Sequence, residues 1–209
     1  MAQRLIQSVH SILGWTRDGS SRLLGATSSS PLAGGLRIGK EDEFGADGDG
    51  QYHHYLTLWM FALNRASFTT LDPAYNTLAL QLAKAIHPKF VTRRDEPRPR
   101  IFWKMSMDLS HPLVSSEGNL DPFDGYCVFR LLHESRMAGE EGLDEEIADY
   151  KRIMEAKWGD YVSSDPLDLG MMLWTAHWRQ AEDWAVTLKE GAMEALSRAA
   201  PFPSCDIGY

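Results

Sequence analysis

The residues best suited to chemistry fall in three short stretches. The first runs from Arg37 and Lys40 through Asp49 to Tyr52, His53 and His54, the second carries Trp103, Lys104, Asp108, His111, Asp121 and Asp124, and the third holds Asp165 and Asp168. Paired carboxylates in an aromatic-lined cleft suit acid–base work on a sugar. One carboxyl, kept protonated, donates a proton to a leaving oxygen, while the other stays ionised to activate water or stabilise a developing cation. Asp49 and Asp108 are the preferred catalytic pair, because neither is needed as an Asp-Pro helix cap. Arg37, Lys40, Tyr52, His53, Trp103, Lys104, Asp121 and Asp124 are expected to bind the substrate around them, although capping explains Asp121 more economically.

His53 and His54 are adjacent, and neighbours on a helix diverge by roughly 100°. They therefore cannot both grip one metal from the same face, and no His-x-His, His-Glu-x-x-His or paired-Cys motif accompanies them. No metal site is expected. One of the two should point into the cleft as a hydrogen-bonding or proton-transfer group, and spacing does not say which. Gly34-Gly35-Leu36-Arg37-Ile38-Gly39-Lys40 lacks the Gly-Lys-Ser/Thr of a phosphate loop, and there is no Gly-x-Ser-x-Gly elbow. No cofactor is expected either.

These stretches are set in a 209-residue chain of net charge −8, which argues against nucleic acid as a partner because phosphate binding needs clustered Lys and Arg. The basic run from Arg93 to Arg100 is broken by acids and prolines and reads as a solvated loop. Cys127 lies in an apolar run and reads as a small buried hydrophobe; with only Cys205 beside it, no disulfide framework is expected. Residues 1–14 mix polar and apolar side chains, unlike a signal peptide or membrane span, so a cytoplasmic protein without a membrane partner is expected.

Helical spacing of apolar residues predicts seven helices, at about 3–16, 51–66, 72–87, 121–137, 143–157, 166–180 and 182–199. Long connections occupy about 17–50 and 88–120, the second with a short extended piece at Ile101 to Met105. Asp72-Pro73, Asp121-Pro122 and Asp165-Pro166 each place an N-cap acceptor before a proline at the first helical position. They recur 49 and 44 residues apart, as helical-hairpin repeats would. The second, fourth and sixth helices read as apolar nearly all round and the third, fifth and seventh as amphipathic. That alternation of inner and outer members predicts an all-α single domain over 1–209, consecutive helical hairpins forming a partial (α/α) toroid, whose inner N-termini share one rim with the candidate residues.

Four blocks in order, Gly34 to Lys40, Asp49 to Leu56, Trp103 to Leu113 and Asp121 to Gly125, resemble signature blocks of an uncharacterised subgroup in the six-hairpin glycosidase-like superfamily. The resemblance spans about residues 1–180. It implies an α/α toroid and the chemistry of a family that includes hydrolases, lyases and epimerases. A full toroid needs about twelve helices, so the chain resembles a truncated member. A glycoside hydrolase-like enzyme on a small-molecule or glycan substrate is expected, with a homodimer completing the ring over otherwise exposed apolar faces. The alternatives are a non-catalytic binding or assembly protein that keeps half a ring as a groove, and a small-molecule isomerase or cyclase using the same acids.

Overall fold

The computed structural model describes residues 2–45, 47–157 and 163–199. Its chain divides into two compact units, Met1–Ile153 and Met154–Tyr209. The first holds α1 (Ala2–Leu13), α2 (His53–Thr70), α3 (Ala74–Phe90), α4 (Asp121–Glu134) and most of α5 (Asp144–Glu155). Four two-residue strands complete it: β1 (Gln51–Tyr52), β2 (Val91–Thr92), β3 (Arg100–Ile101) and β4 (Lys104–Met105). The second unit contains a packed pair, α6 (Pro166–His177) and α7 (Asp183–Ala199). The predicted all-α class therefore holds for the described residues, with each of the seven expected helices present and the extended piece near 101–105 found as β3 and β4.

Within the first unit α2 and α3 form a hairpin, turned through Leu71 at φ 58, and α4 packs on both. α4 is buried on nearly every face, from Pro122 through Phe129 and at Leu132. Cys127 is one of those side chains, buried as expected, while Cys205 lies outside the described residues. α2 was expected to be buried all round. It instead buries one stripe, Leu56, Met60 and Leu63 with His53, Thr57 and Asn64, and leaves Tyr55, Leu58 and Phe68 exposed. A polar lock joins the three helices: Asn64 Nδ2 donates to Asn76 Oδ1 (2.7 Å), and Asn76 Nδ2 donates to the Leu132 carbonyl (3.2 Å). Buried amides satisfied in this way fix the register of the packing rather than merely permitting it.

The three Asp-Pro pairs behave differently. Asp165 caps α6 as expected, accepting from the Leu167 and Asp168 N–H groups (2.8 and 3.3 Å). Asp72 accepts from Ala74 N–H (3.0 Å), but Pro73 occupies the N-cap position of α3. Asp121 is not a cap at all. Leu120 holds that position, Asp121 is the first helical residue, and its carboxylate turns toward His53.

The long connections are built, not loose. Gln51, fully buried, accepts from Leu36 N–H (2.9 Å) and donates to the carbonyls of Gly34 and Met107 (2.8 Å each). One side chain thus ties both loops to β1. Gly35 makes room for it: at φ 75, a Cβ there would meet Gln51 Oε1 at 1.8 Å.

Gly125 plays a comparable part inside α4, where a Cβ would lie 2.4 Å from Tyr150 Cζ. Alanine in a helix interior ordinarily gains about 1 kcal/mol over glycine. Gly125→Ala should nevertheless lower stability by about 1–3 kcal/mol, because a rigid ring must move. Urea unfolding at constant m measures this, and a stabilised variant would show that α4 and α5 are not so close.

Candidate functional site

The N-termini of α2 and α4 meet. β1 pairs antiparallel with β4, setting Tyr52 opposite Lys104, and His53 N–H donates to the Trp103 carbonyl (3.0 Å). This ladder delivers the first turn of α2 to the first turn of α4. There His54 Nδ1–H donates to Asp124 Oδ2 (2.9 Å), and His53 Nδ1 lies 3.3 Å from Asp121 Oδ1. Parts of the first two sequence stretches are thereby brought to one rim.

The two histidines face different ways. The His53 side chain has no exposed surface; its ring stands edge-on to Phe90 and Tyr150, and Nε2 lies 2.7 Å from the Tyr150 hydroxyl. His53, expected to bind substrate, therefore belongs to the core. His54 is 30% exposed, and its Nε2 has no protein partner among the described residues. Burial pulls the His54 pKa down, but the hydrogen bond to Asp124 and the charges of Asp124 and Asp121 outweigh it, so the value is raised.

An aromatic ledge borders this dyad. Tyr52 meets Trp103 edge-on at 5.4 Å and Tyr55 at 5.2 Å, and Tyr55 is 54% exposed. Lys104 is buried, donating from Nζ to the Gly48 carbonyl (2.8 Å) and standing 5.1 Å over the Tyr52 ring. Lys40 approaches the same ring at 5.9 Å while paired with Asp47. The cationic groups thus hold Tyr52 in place.

The preferred carboxylates have other partners. Asp49 is wholly buried; its Oδ2 takes hydrogen bonds from Arg17 Nη1 and Arg37 Nη1 (3.0 Å each), and its Oδ1 accepts from the Gly39 and Gly50 N–H groups (2.9 Å each). Burial raises the carboxyl, but the Gly39, Gly50 and Arg37 hydrogen bonds more than reverse this, leaving its pKa below the usual range. Asp108 is exposed and accepts from the hydroxyls of Ser106 (2.6 Å) and Ser110 (2.7 Å), which with the Ser110 N–H bring its pKa to about 2. Both are held ionised, so neither is placed to donate a proton. Asp108 lines a cavity of about 740 Å³ with Arg17, Asp18, Phe44, Ser106 and His111. None of Tyr52, His54, Trp103, Asp121 or Asp124 lines it.

Two residues of this region carry no motif. Tyr150 falls in the apolar stripe of α5 with Ile147 and Met154, and Arg17 lies in the long first connection. Asp165 and Asp168, also expected near the rim, belong to the second unit. Among the described residues no cluster of His, Cys, Asp or Glu could hold a metal ion, and no helix is long and apolar enough to cross a membrane. Comparison with known proteins found no matching family model, curated protein or solved structure.

Two measurements follow. Asp49→Asn leaves Arg17 and Arg37 facing a neutral group and should cost about 3 kcal/mol, with faster hydrogen exchange at Gly39 and Gly50. His87, buried beside Asp149 (3.6 Å), has its pKa driven to about 3, mainly by burial, which with the positive charges of Arg94 and Lys84 outweighs the upward pull of Asp149. Its folded value lies below its unfolded one, so its contribution is intact above pH ~6.5 and is lost as the pH falls toward the folded value, on the order of 5 kcal/mol in all. His87→Leu should flatten that part of the difference between urea midpoints at pH 7 and pH 4; an unchanged difference would show that His87 is not held neutral.

Proposed function

We propose that this protein is an acid–base enzyme acting on a sugar or similar polyhydroxylated small molecule at the α2–α4 rim, with His54 as the proton-transfer group. The observation that carries this reading is the 2.9 Å bond from His54 Nδ1 to Asp124 Oδ2 at a half-buried position. A carboxylate at Nδ1 fixes the tautomer, leaving the Nε2 lone pair as the base. A raised histidine pKa keeps both protonation forms accessible near neutral pH. Paired-carboxylate hydrolysis fits less well, because Asp49 and Asp108 are both held ionised.

The step this arrangement supports is proton abstraction from a carbon beside a carbonyl. Nε2 takes the proton and the C–H electron pair moves into the carbonyl to form an enediolate; the hydroxyl proton passes from the one oxygen to the other, and return of the abstracted proton to the neighbouring carbon gives the isomer. The positive ends of α2 and α4 favour the developing negative charge. Tyr52, Tyr55 and Trp103 offer faces for the apolar side of a sugar ring. A partial toroid accounts for the shared rim, since α2 and α4 would be its inner members. Completion of the ring by a second copy would cover the exposed Leu58 and Phe68.

Incubation in D₂O with a panel of aldoses, ketoses and N-acetylhexosamines, followed by proton NMR, tests this. Loss of the C2 proton signal is expected, slowed about 100-fold or more by His54→Asn or Asp124→Asn. Glycoside hydrolysis that needs Asp108 but is indifferent to His54 would place the chemistry in the Asp108 cavity and overturn the reading.

A further inference from the structure

We propose that Tyr150, acting through His53, positions Asp121 as the second proton-transfer group of the rim; the inference rests on the acid–base reading of that rim. One catalytic base cannot both remove a proton on one side of a substrate and supply one from another, so a second group at the same opening extends what the site can do. Asp121 is the group so placed. Its side chain is 13% exposed and reaches the rim, and its charge contributes to the raised pKa of His54.

The chain of contacts behind it runs inward. Asp121 Oδ1 faces His53 Nδ1 at 3.3 Å, and His53 Nε2 meets the Tyr150 hydroxyl at 2.7 Å. Burial, with the negative charges of Asp121, Glu146, Asp149 and Asp124, keeps the Tyr150 hydroxyl protonated. Tyr150 is therefore the donor and His53 Nε2 the acceptor, which leaves the ring proton on Nδ1, the nitrogen on the Asp121 side. Neither His53 Nδ1 nor Asp121 Oδ1 has a hydrogen-bond partner, although the two lie 3.3 Å apart. Catalytic hydrogen bonds are often long before substrate binds and tighten in the complex. Gly118 clears space for the other carboxylate oxygen: a Cβ there would lie 2.3 Å from Asp121 Oδ2. His53 and Tyr150 cannot touch a substrate, since both are wholly buried. They are positioning residues.

The test combines tautomer and turnover. In nitrogen-15 NMR of the full chain, His53 should show a protonated Nδ1 and a bare Nε2, and Tyr150→Phe, which keeps the packed ring, should remove the hydrogen-bond shift at Nε2. In the D₂O exchange assay, Tyr150→Phe and His53→Phe should each lower kcat about 10-fold with KM unchanged. The double variant should fall no further than His53→Phe alone, because residues acting as a unit are non-additive. A protonated Nε2, additive losses or an unchanged kcat would each overturn the inference. Exchange that needs His54 but not Tyr150 defeats this inference alone, whereas exchange indifferent to His54 defeats the reading of the rim and this inference with it.

Discussion

The buried carboxylate of Asp49 is the constraint on which the rest of the first unit depends. An ionised group with no exposed surface must be fully compensated, and here two guanidinium groups and two backbone N–H groups do so. Arg17 and Arg37 reach it from distant parts of the long first connection, so that connection becomes a wall. Gly50 and Gln51 follow at once, and Gln51 binds the second connection to the first. Only with Gln51 fixed does Tyr52 stand opposite Lys104, and only then do His53 and His54 begin α2 against α4. The rim is the end of a chain of positional consequences that starts at one charge.

Helix geometry then divides the labour. Two consecutive histidines on one helix diverge by roughly 100°, so one that points out commits the other to the core. Asp121 and Asp124, three apart on α4, lie on one helix face and meet both of them. The result is two His–Asp contacts of different character from a four-residue coincidence. One is accessible and well bonded, and the other is backed by Tyr150 and shielded from solvent.

Much of this was legible beforehand. Apolar spacing located all seven helices within a few residues, because amphipathic periodicity survives whatever the tertiary arrangement. The candidate residues Tyr52, Trp103, Lys104, Asp121 and Asp124 do gather, since helix starts and the loops before them share one end of a parallel pair. What spacing could not show was partnership. Asp49 resembles any loop acid until Arg17 and Arg37 fold onto it, and no local pattern announces contacts so distant in sequence. Asp121 beside Pro122 has the form of a cap, but the preceding Leu120 takes the cap position and frees the side chain for a tertiary contact. Tyr150 is indistinguishable by period from a core tyrosine, because its hydroxyl partner lies on α2. Which histidine faced outward depended on the phase of α2, set by the β1–β4 register.

The core beneath the rim is more polar than stability alone calls for. His53, His87, Lys104, Asp124, Glu146 and Asp149 are all buried there, and Glu146 and Asp149 need Lys84, Arg94 and Arg152 to neutralise them. Apolar groups of similar volume would often be at least as stable as such pairs. Hydrogen bonds and ion pairs have directions, however, whereas apolar contacts tolerate sliding. A rim that holds His54 through Nδ1 and turns one oxygen of Asp121 inward needs support that fixes orientation. A directional core supplies it, and an oily one would leave the same residues at the same rim without holding them in one arrangement.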